Sequence, residues 1–379
     1  MQTKKVYESK FLNANYKMKV LHIITSLNIG GAEKLMVDLL PQLKDRGVEV
    51  ELLVFIGNRT MFYDQLECEG IKITSFADKG SVYNPLHIIR LYRFLKQNHF
   101  DVIHTHNTAP QIFAAIVSML CSLTLATTEH SASNHRRNWK WYRWIDKWMY
   151  GKYSKVICIS DATESNIREY LGVTNADKKF LTVYNGVDVD KFANAQPRTD
   201  YHTDKKVVTM VAGFRYEKDQ DTLIRAMLHL PKEEYELWLV GDGERRGELE
   251  NLVATLVLNE QVKFWGIRGD VPSLLKSSDV VVMSSHWEGL SLSNIEGMSV
   301  GKPFIASDVD GLHEMTQGAG LLFAHGDDKQ LAELIVSLMN DREYYHQIAA
   351  QCMERARQYD ISRMAEGYIG VYEELLGLP

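Results

Sequence analysis

The stretch Met18-Lys-Val-Leu-His-Ile-Ile-Thr25 has the composition of a buried β-strand. It is a short apolar run without a regular polar alternation, as expected of a strand that is covered on both faces of a parallel sheet. An amphipathic segment at 32–46 follows it, and a second apolar run comes at 49–55. This order of strand, helix and strand predicts the beginning of a doubly wound α/β domain.

The same alternation extends along the chain in two blocks, separated by the polar stretch 188–206. In the first block we predict strands at 19–25, 49–55, 71–76, 101–105, 124–129, 155–159 and 180–184, and helices at 32–46, 85–97, 110–121, 136–150 and 161–171. In the second block we predict strands at 207–212, 236–241, 262–265, 279–284 and 303–306, and helices at 221–229, 244–257, 292–300, 327–339 and 342–358.

These blocks predict an N-terminal extension and two α/β domains of similar size. We place the extension at 1–17, the first domain at 18–200 and the second at 201–358. A final amphipathic helix falls within 359–379.

The composition excludes several classes of protein. The 379 residues are 45% hydrophobic and 24% charged, as in ordinary globular proteins, and the net charge of −6 provides no general attraction for nucleic acid. The four cysteines are scattered without a Cys-x-x-Cys pair, which argues against a zinc site and favours a reduced, cytoplasmic compartment. The longest mostly apolar stretch, 112–126, is shorter than the roughly 20 residues of a membrane span.

Glu288-Gly-Leu-Ser-Leu-Ser-Asn-Ile-Glu296 is the most informative motif. Glu288 follows a predicted strand, and Glu296 lies in the first turns of the next helix if Ser291 caps that helix. Backbone N–H groups at a helix N-terminus attract anions, and carboxylates accept hydrogen bonds from sugar hydroxyls. The motif therefore predicts a nucleotide-sugar site. The alternative is a helix cap with a solvated glutamate on the helix surface.

The chain from Met18 onward resembles the retaining glycosyltransferases of family 4, which have the GT-B fold. Besides the two glutamates, the resemblance rests on the ordered motifs Gly30-Gly-Ala-Glu33, Asp101-Val-Ile-His-Thr-His106, Thr127-Thr-Glu-His130, Val156-Ile-Cys-Ile-Ser160, Val183-Tyr-Asn-Gly-Val-Asp188, Val211-Ala-Gly-Phe-Arg-Tyr-Glu-Lys218, Leu239-Val-Gly-Asp-Gly243 and Val262-Lys-Phe-Trp-Gly266. It implies two Rossmann-like domains that face a central cleft, with the acceptor bound by the first and the nucleotide sugar by the second. It also implies a final helix that packs back on the first domain.

The resemblance assigns roles to individual residues. The position of Glu296 holds the ribose hydroxyls, that of Glu288 contacts the donor sugar, and that of His130 faces this sugar across the cleft. For His130 the alternative is a structural histidine, and for Gly30-Gly31 it is a tight turn instead of a cleft-lining loop. The expected catalytic residues are His130, Glu288 and Lys218, and the expected substrate-binding residues are Gly30, Gly31, Arg215, Lys218, Gly289, Leu290, Ser291, Leu292 and Glu296.

Two cations after the first strand of the second domain would neutralise a departing diphosphate. Lys218 is at the family position for one of them, whereas the family's arginine normally precedes the lysine by five positions, where this chain has Gly213. Arg215 precedes the lysine by only three positions, so it reaches the phosphates, if at all, by a different route.

We expect no metal and no cofactor, with a UDP-sugar as donor. The pair His104 and His106 is spaced like metal ligands, but the sequence shows no third ligand, which favours a structural or acceptor-side role.

Residues 134–155 combine four tryptophans with seven basic residues against one acid, Asp146. Trp141, Trp144, Ile145 and Trp148 share a helical face. We expect this face to pack on the core, with the basic face solvated. The alternative is a helix that binds the surface of a membrane, which would suit a lipid-carried acceptor.

The predicted function is that of a metal-independent, retaining hexosyltransferase that acts on a saccharide or lipid-linked acceptor in cell-surface polysaccharide or glycolipid synthesis. Three alternatives stay open. They are a nucleotide-sugar epimerase of GT-B fold, a nicotinamide-dependent enzyme, against which the missing Gly-x-Gly-x-x-Gly counts, and a non-catalytic saccharide-binding partner.

Overall fold

A computed structural model of the protein describes residues 17–28, 30–130, 139, 141–289 and 292–378. The chain divides into two compact units. The first contains residues up to Asn185 together with the C-terminal residues from Ile361, and the second contains Gly186–Asp360. The predicted extension 1–17 lies outside the described residues except for Lys17.

The first unit is built on a seven-stranded parallel sheet in the order β3-β2-β1-β4-β5-β6-β7. Its strands are β1 (Lys19–Ile24), β2 (Glu49–Ile56), β3 (Lys72–Ala77), β4 (Val102–His106), β5 (Leu125–Glu129), β6 (Lys155–Cys158) and β7 (Phe180–Thr182). Its helices are Gly31–Asp45, Met61–Cys68, Leu86–Gln97, Thr108–Val117, Tyr142–Gly151, Asp161–Leu171 and Ile361–Leu376.

The strand order reverses between β1 and β4, which pair with each other while their chain neighbours lie on opposite sides. Ligands of open α/β sheets bind beyond the carboxyl ends of the strands at such a switch point. The residues that follow β1, β4 and β5 therefore define the functional edge of this unit.

The second unit has a six-stranded parallel sheet in the order β10-β9-β8-β11-β12-β13. Its strands are β8 (Lys206–Val211), β9 (Tyr235–Val240), β10 (Val262–Gly266), β11 (Val280–Met283), β12 (Phe304–Ser307) and β13 (Leu321–Phe323). Its α-helices are Val189–Ala193, Gln220–Ala226, Arg246–Thr255, Val271–Lys276, Leu292–Ser299, Leu312–Thr316, Asp328–Asn340 and Arg342–Arg357, and single 3₁₀ turns occur at Tyr216–Lys218 and Met227–His229. The sheet again reverses, between β8 and β11.

Residues 186–200 belong to the second unit, although the sequence analysis placed them in the first domain. Val187, Val189 and Phe192 are buried in the core of the second unit. The backbone N–H of Val187 donates to the carbonyl of Tyr359 at 3.0 Å. Burial of three apolar side chains thus attaches this polar-looking stretch to the second core, since each contributes roughly 1.5–3 kcal/mol.

The sequence patterns did not predict strand β13 or the short helices Met61–Cys68, Val189–Ala193, Val271–Lys276 and Leu312–Thr316. These elements have three to eight residues, which is too short for a period of 3.6 or a long apolar run to emerge. Pairing with β12 forms β13, because a three-residue segment becomes a strand only beside a partner.

Candidate functional site

Lys218 and Glu288 form an ion pair at the carboxyl edge of the second sheet, between Nζ and Oε1. Lys218 ends the 3₁₀ turn after β8, and Glu288 lies on the loop after the adjacent strand β11. The Ser285 hydroxyl also donates to Glu288 Oε1, at 3.0 Å. The two charged side chains are 19% and 8% exposed, so the pair is largely removed from solvent. The parallel sheet thus brings together two charges that are 70 residues apart in the chain.

Backbone contacts hold the loop that carries Glu288. The backbone N–H of Glu288 donates to the carbonyl of Asp310 at 3.3 Å, and the N–H of His286 donates to the carbonyl of Glu217 at 2.9 Å. Gly311 has φ +82°, and a Cβ there would lie 2.3 Å from the Glu288 carbonyl oxygen. Only glycine permits this approach, because any side chain would displace the loop.

Glu296 lies on the helix Leu292–Ser299 and is buried. Leu292 begins this helix and packs against the core, and Gly289 is exposed. Leu290 and Ser291 lie outside the described residues, so the proposed serine cap stays a prediction. A buried carboxylate in the first turns of a helix after a strand is suited to accept hydrogen bonds from a hydroxylated ligand.

Arg215 differs from Lys218 in its surroundings. Its side chain is 63% exposed, and its guanidinium lies 3.9 Å from the carboxylate of Glu217. Its Nε lies 3.8 Å from the point where Gly213 would carry a Cβ. The arginine therefore extends beside the position at which the family arginine would begin.

In the first unit, the loops after β1 and β4 meet through polar side chains. A Cβ at Gly30 would lie 2.4 Å from the Glu33 carboxylate, whereas a Cβ at Gly31 would have open space. Asn107 Nδ2 donates to Thr25 Oγ1 at 3.1 Å and to Glu33 Oε1 at 3.4 Å. Burial raises the pKa of Glu33. Contacts among the described residues of the first unit therefore require glycine at neither position, because a Cβ at Gly30 would meet only the end of the flexible Glu33 side chain.

Asn107, Thr25 and Glu33 were not among the residues predicted to form a site. Asn107 has φ +66° and ψ 161°, a backbone conformation that is found almost only at glycine. An asparagine between a predicted strand and a predicted helix was the available signal, because such loops carry ligand-binding groups in α/β sheets.

His130 follows β5 and joins a group of buried imidazoles. Its Nε2 lies 2.9 Å from Nδ1 of His106. His22 on β1 supplies a third buried ring beside His104 and His106, with ring nitrogens within 4.8 Å of one another. The sequence analysis found no third ligand beside His104 and His106. His22 comes to lie opposite His104 because β1 pairs with β4, and this pairing is a property of the folded sheet.

A second group with ligand-type atoms consists of Asp219, His286 and His325 in the second unit. Nδ1 of His286 lies 2.6 Å from Nε2 of His325 and 3.6 Å from a carboxylate oxygen of Asp219. Asp219 also accepts hydrogen bonds from the backbone N–H and the hydroxyl of Thr222.

The expected packing of the tryptophan face on the core is wrong. Trp141, Trp144 and Trp148 are exposed, Trp144 to 79%, whereas the helix Tyr142–Gly151 buries Asp146, Met149 and Tyr150. The inward face is held by polar bonds as well as by Met149: the Tyr170 hydroxyl donates to Asp146 at 3.0 Å. Arg136, Arg137 and Lys140 of the basic set lie outside the described residues.

The chain thus has two Rossmann-like parallel sheets, with a charged pair at the carboxyl edge of one and buried histidines at the edge of the other, which is the architecture of a two-domain α/β protein with ligand-binding groups at the strand ends. The family model described as "Glycosyltransferase Family 4" matches residues 29–191, and "Glycosyl transferases group 1" matches residues 192–357. The chain therefore belongs to the GT-B glycosyltransferases that resemble family 4.

Similar proteins include curated relatives and solved structures. A UDP-Gal:alpha-D-GlcNAc-diphosphoundecaprenol alpha-1,3-galactosyltransferase of Escherichia coli is 27% identical over 67% of this chain and 70% of its own length. The lipopolysaccharide core biosynthesis glycosyltransferase LpsD of Rhizobium meliloti is 28% identical over 94% of this chain and 98% of its own. The structure of HepE from Anabaena in complex with UDP and glucose has a TM-score of 0.81 at 22% identity, over 94% of this chain and all of HepE.

Proposed function

We propose that this glycosyltransferase moves a hexose from a UDP-sugar to a saccharide or lipid-linked saccharide acceptor, with retention of anomeric configuration and without a metal ion. The observation that carries the proposal is the largely buried pair of Lys218 and Glu288 at the edge of the second sheet. In this proposal the two neighbouring side chains are the cation for the departing diphosphate and the carboxylate for the donor sugar.

In this proposal the second unit binds the donor. Glu296 accepts from the ribose hydroxyls, Glu288 contacts the donor sugar, and backbone N–H groups of Gly289–Leu292 bind the diphosphate. Lys218 offsets the charge that grows as the sugar–phosphate bond breaks, which is the stage at which a fixed cation lowers the barrier. Arg215, extended beside Gly213, contributes the second positive charge.

Retention follows if the acceptor attacks from the side of the departing diphosphate. The acceptor hydroxyl then gives its proton to the leaving phosphate oxygen. The acceptor oxygen forms the new bond to the anomeric carbon, as the bond between that carbon and the phosphate oxygen breaks. We favour this route over a double displacement because Glu288, the carboxylate assigned to the sugar, is occupied by Lys218 and Ser285. Lys218 and Arg215 are the cations that would replace a metal ion.

The names of the relatives support the substrate classes. HepE binds UDP and glucose, and the Escherichia coli relative uses UDP-Gal and a diphosphoundecaprenol-linked acceptor. LpsD acts in lipopolysaccharide core biosynthesis. We therefore place the protein in polysaccharide or glycolipid synthesis on the cytoplasmic side of a membrane.

A panel of UDP-, GDP- and ADP-sugars in a thermal-shift assay tests the proposed donor. A bound donor at 100 times its Kd stabilises the fold by about 2.7 kcal/mol, so a UDP-sugar should raise Tm while the GDP- and ADP-sugars do not. Consumption of the donor without an acceptor would identify an epimerase. Binding without turnover on any saccharide acceptor would identify a binding protein.

Glu296→Ala should raise the donor KM by about tenfold or more and leave kcat nearly unchanged. The carboxylate binds the ribose in the ground state and the transition state alike, so its loss removes uniform binding. Steady-state kinetics with varied donor measure the effect, and Glu343→Ala, at an exposed glutamate of the same unit, is the matched control. A collapse of kcat at an unchanged donor KM would contradict the ribose assignment.

Residues 134–155 should attach the protein to anionic vesicles. No helix among the described residues is long and apolar enough to span a membrane. The exposed tryptophans and the basic residues of this segment other than Lys155, which is buried and paired with Glu374, can instead bind the membrane surface, where each basic residue contributes about 1 kcal/mol and tryptophans insert at the interface. We expect strong binding at low salt and a salt-resistant remainder that Trp141→Ala/Trp144→Ala removes.

Co-sedimentation with anionic and neutral vesicles across a salt series measures this attachment, since salt screens only the charge contribution. Arg136→Glu/Arg137→Glu/Lys140→Glu should abolish the low-salt binding. Lys329→Glu/Arg342→Glu, a charge reversal at exposed positions of the second unit, should bind like the wild type. Equal binding by both charge-reversed variants would refute the membrane role.

A further inference from the structure

Seven side chains of the first unit form one continuous hydrogen-bonded chain from His130 to the C-terminal helix. We call it the relay. Its members in order are His130, His106, His22, Tyr372, His104, Thr128 and Tyr368, and the successive distances are 2.9, 3.0, 3.2, 2.7, 2.8 and 2.9 Å. All members except His130 are buried.

The relay uses every ring nitrogen of its three inner histidines once. His106 bonds His130 through Nδ1 and His22 through Nε2. His22 and His104 both bond the hydroxyl of Tyr372, each with one nitrogen, and their other nitrogens bond His106 and Thr128. The rings of His22, His104 and His106 are nearly parallel, with neighbouring centroids 4.6–5.3 Å apart.

Burial lowers the pKa of each of these imidazoles, to about 3 for His22 and about 4 for His130, and well below the usual value for His104 and His106. A neutral imidazole has one N–H donor and one acceptor nitrogen. In a chain of such rings each member must donate in the same direction, because otherwise two hydrogens or two lone pairs would face each other. Among the directly bonded rings, the proton position on His22 therefore fixes those of His106 and His130, whereas a hydroxyl such as that of Tyr372 can also accept from both of its neighbours.

Tyr372 sets the direction. Its hydroxyl has one hydrogen, lies 2.7 Å from His104 Nδ1 and lies 3.2 Å from His22 Nε2. Hydroxyl donors make shorter hydrogen bonds than N–H donors, so Tyr372 donates to His104 and accepts from His22 Nε2–H. His22 Nδ1 then accepts from His106 Nε2–H, and His106 Nδ1 accepts from His130 Nε2–H.

We propose that the relay holds His130 as its Nε2–H tautomer, so that Nδ1 is a lone pair that accepts a hydrogen bond from a substrate hydroxyl. Among the described residues, none bonds this Nδ1, and His130 is the one histidine of the relay that is not fully buried. Tyr372, His22 and His106 are positioning residues, because they act on substrate only through His130. That the hydroxyl belongs to a sugar rests on the proposed function, whereas the tautomer does not.

The test uses the full chain labelled with ¹⁵N-histidine, in long-range ¹H–¹⁵N correlation spectra without substrate. His130, identified by the loss of its signals in His130→Asn, should carry its proton on Nε2 alone. Tyr372→Phe removes the hydroxyl that sets the direction, so His130 should then show both neutral tautomers. Tyr153→Phe is the matched control, since this buried hydroxyl bonds Thr105 and Gln111 outside the relay and should leave the His130 pattern unchanged.

A His130 proton on Nδ1 in the wild type, or an unchanged His130 pattern in Tyr372→Phe, would overturn the proposal. Stoichiometric zinc in the purified protein, if its removal changes these signals, would also overturn the proposal, because the ion would take lone pairs that the relay uses.

With donor and acceptor present, kcat/KM should fall about tenfold in Tyr372→Phe, as for hydrogen bonds that orient metal-ligating histidines. The expected tautomer in a wild type that transfers no sugar would uphold the relay and refute the proposed function.

Discussion

Lys218→Ala should lower kcat by on the order of 10²–10³, with a smaller change in the donor KM. Negative charge grows on the departing diphosphate in the transition state, so a fixed cation beside it acts mainly on the chemical step. The substitution also leaves the buried Glu288 carboxylate with the Ser285 hydroxyl as its side-chain hydrogen-bond partner among the described residues, which disturbs the sugar contact. Steady-state kinetics with saturating acceptor and varied donor measure both constants.

Lys206→Ala is the matched control for this experiment. Lys206 begins β8, at the opposite end of the strand from Lys218, and pairs with Glu234 at 3.4 Å. Its removal should leave kcat within about twofold of the wild-type value. Exposed ion pairs contribute about 0–1 kcal/mol to the free energy of unfolding, and this pair does not stabilise the reacting groups. If Lys218→Ala keeps near-normal turnover while Arg215→Ala does not, the leaving-group role belongs to Arg215.

Acidification from pH 7.5 to pH 5.5 should destabilise the first unit through the four histidines of the relay. Burial keeps His22, His104, His106 and His130 neutral in the folded state, whereas in the unfolded chain each binds a proton near pH 6.5. The unfolded state therefore binds more protons between these pH values, and stability falls as pH falls. The loss is about 1.4 kcal/mol per imidazole, or roughly 5.5 kcal/mol for the four.

Urea denaturation followed by circular dichroism at pH 7.5, 6.5 and 5.5 measures this loss. Most carboxylates stay ionised between pH 7.5 and pH 5.5. They therefore change the free energy of unfolding mainly at pH values below this range. The raised pKa of His313, which is due first to its hydrogen bond with Asp308, works in the opposite sense at the exposed surface. His22→Leu should reduce the pH dependence by one imidazole. A pH-independent free energy of unfolding would show that the relay histidines titrate normally.

The proposed site residues differ in how local their sequence signals are. Glu288, Glu296 and Lys218 belong to short motifs, and their positions after strands follow from the order of apolar runs. The pairing of Lys218 with Glu288 follows only from the adjacency of β8 and β11. The sequence did not predict the relay for the same reason. His22, His104 and Tyr372 are far apart in the chain and come together only where β1, β4 and the C-terminal helix pack.

The tryptophan segment shows the limit of periodicity. A stripe at helical spacing identifies a face, but it does not say whether that face meets a core or solvent. The rest of the first unit decided this, because Met149 and Tyr150 fill the available core position and leave Trp144 outside.

The amino-acid sequence by itself determined the α/β class, the two blocks of alternating elements and the motif residues to which we assign the chemistry. Hydrophobic period and turn residues act over a few neighbours, so they can be read along the chain. Only the tertiary structure decided which strands are adjacent, where residues 186–200 pack, which way the tryptophans face and how the buried histidines share their protons. These features depend on contacts between distant residues, which form because burying apolar surface and satisfying every buried polar group must be achieved together.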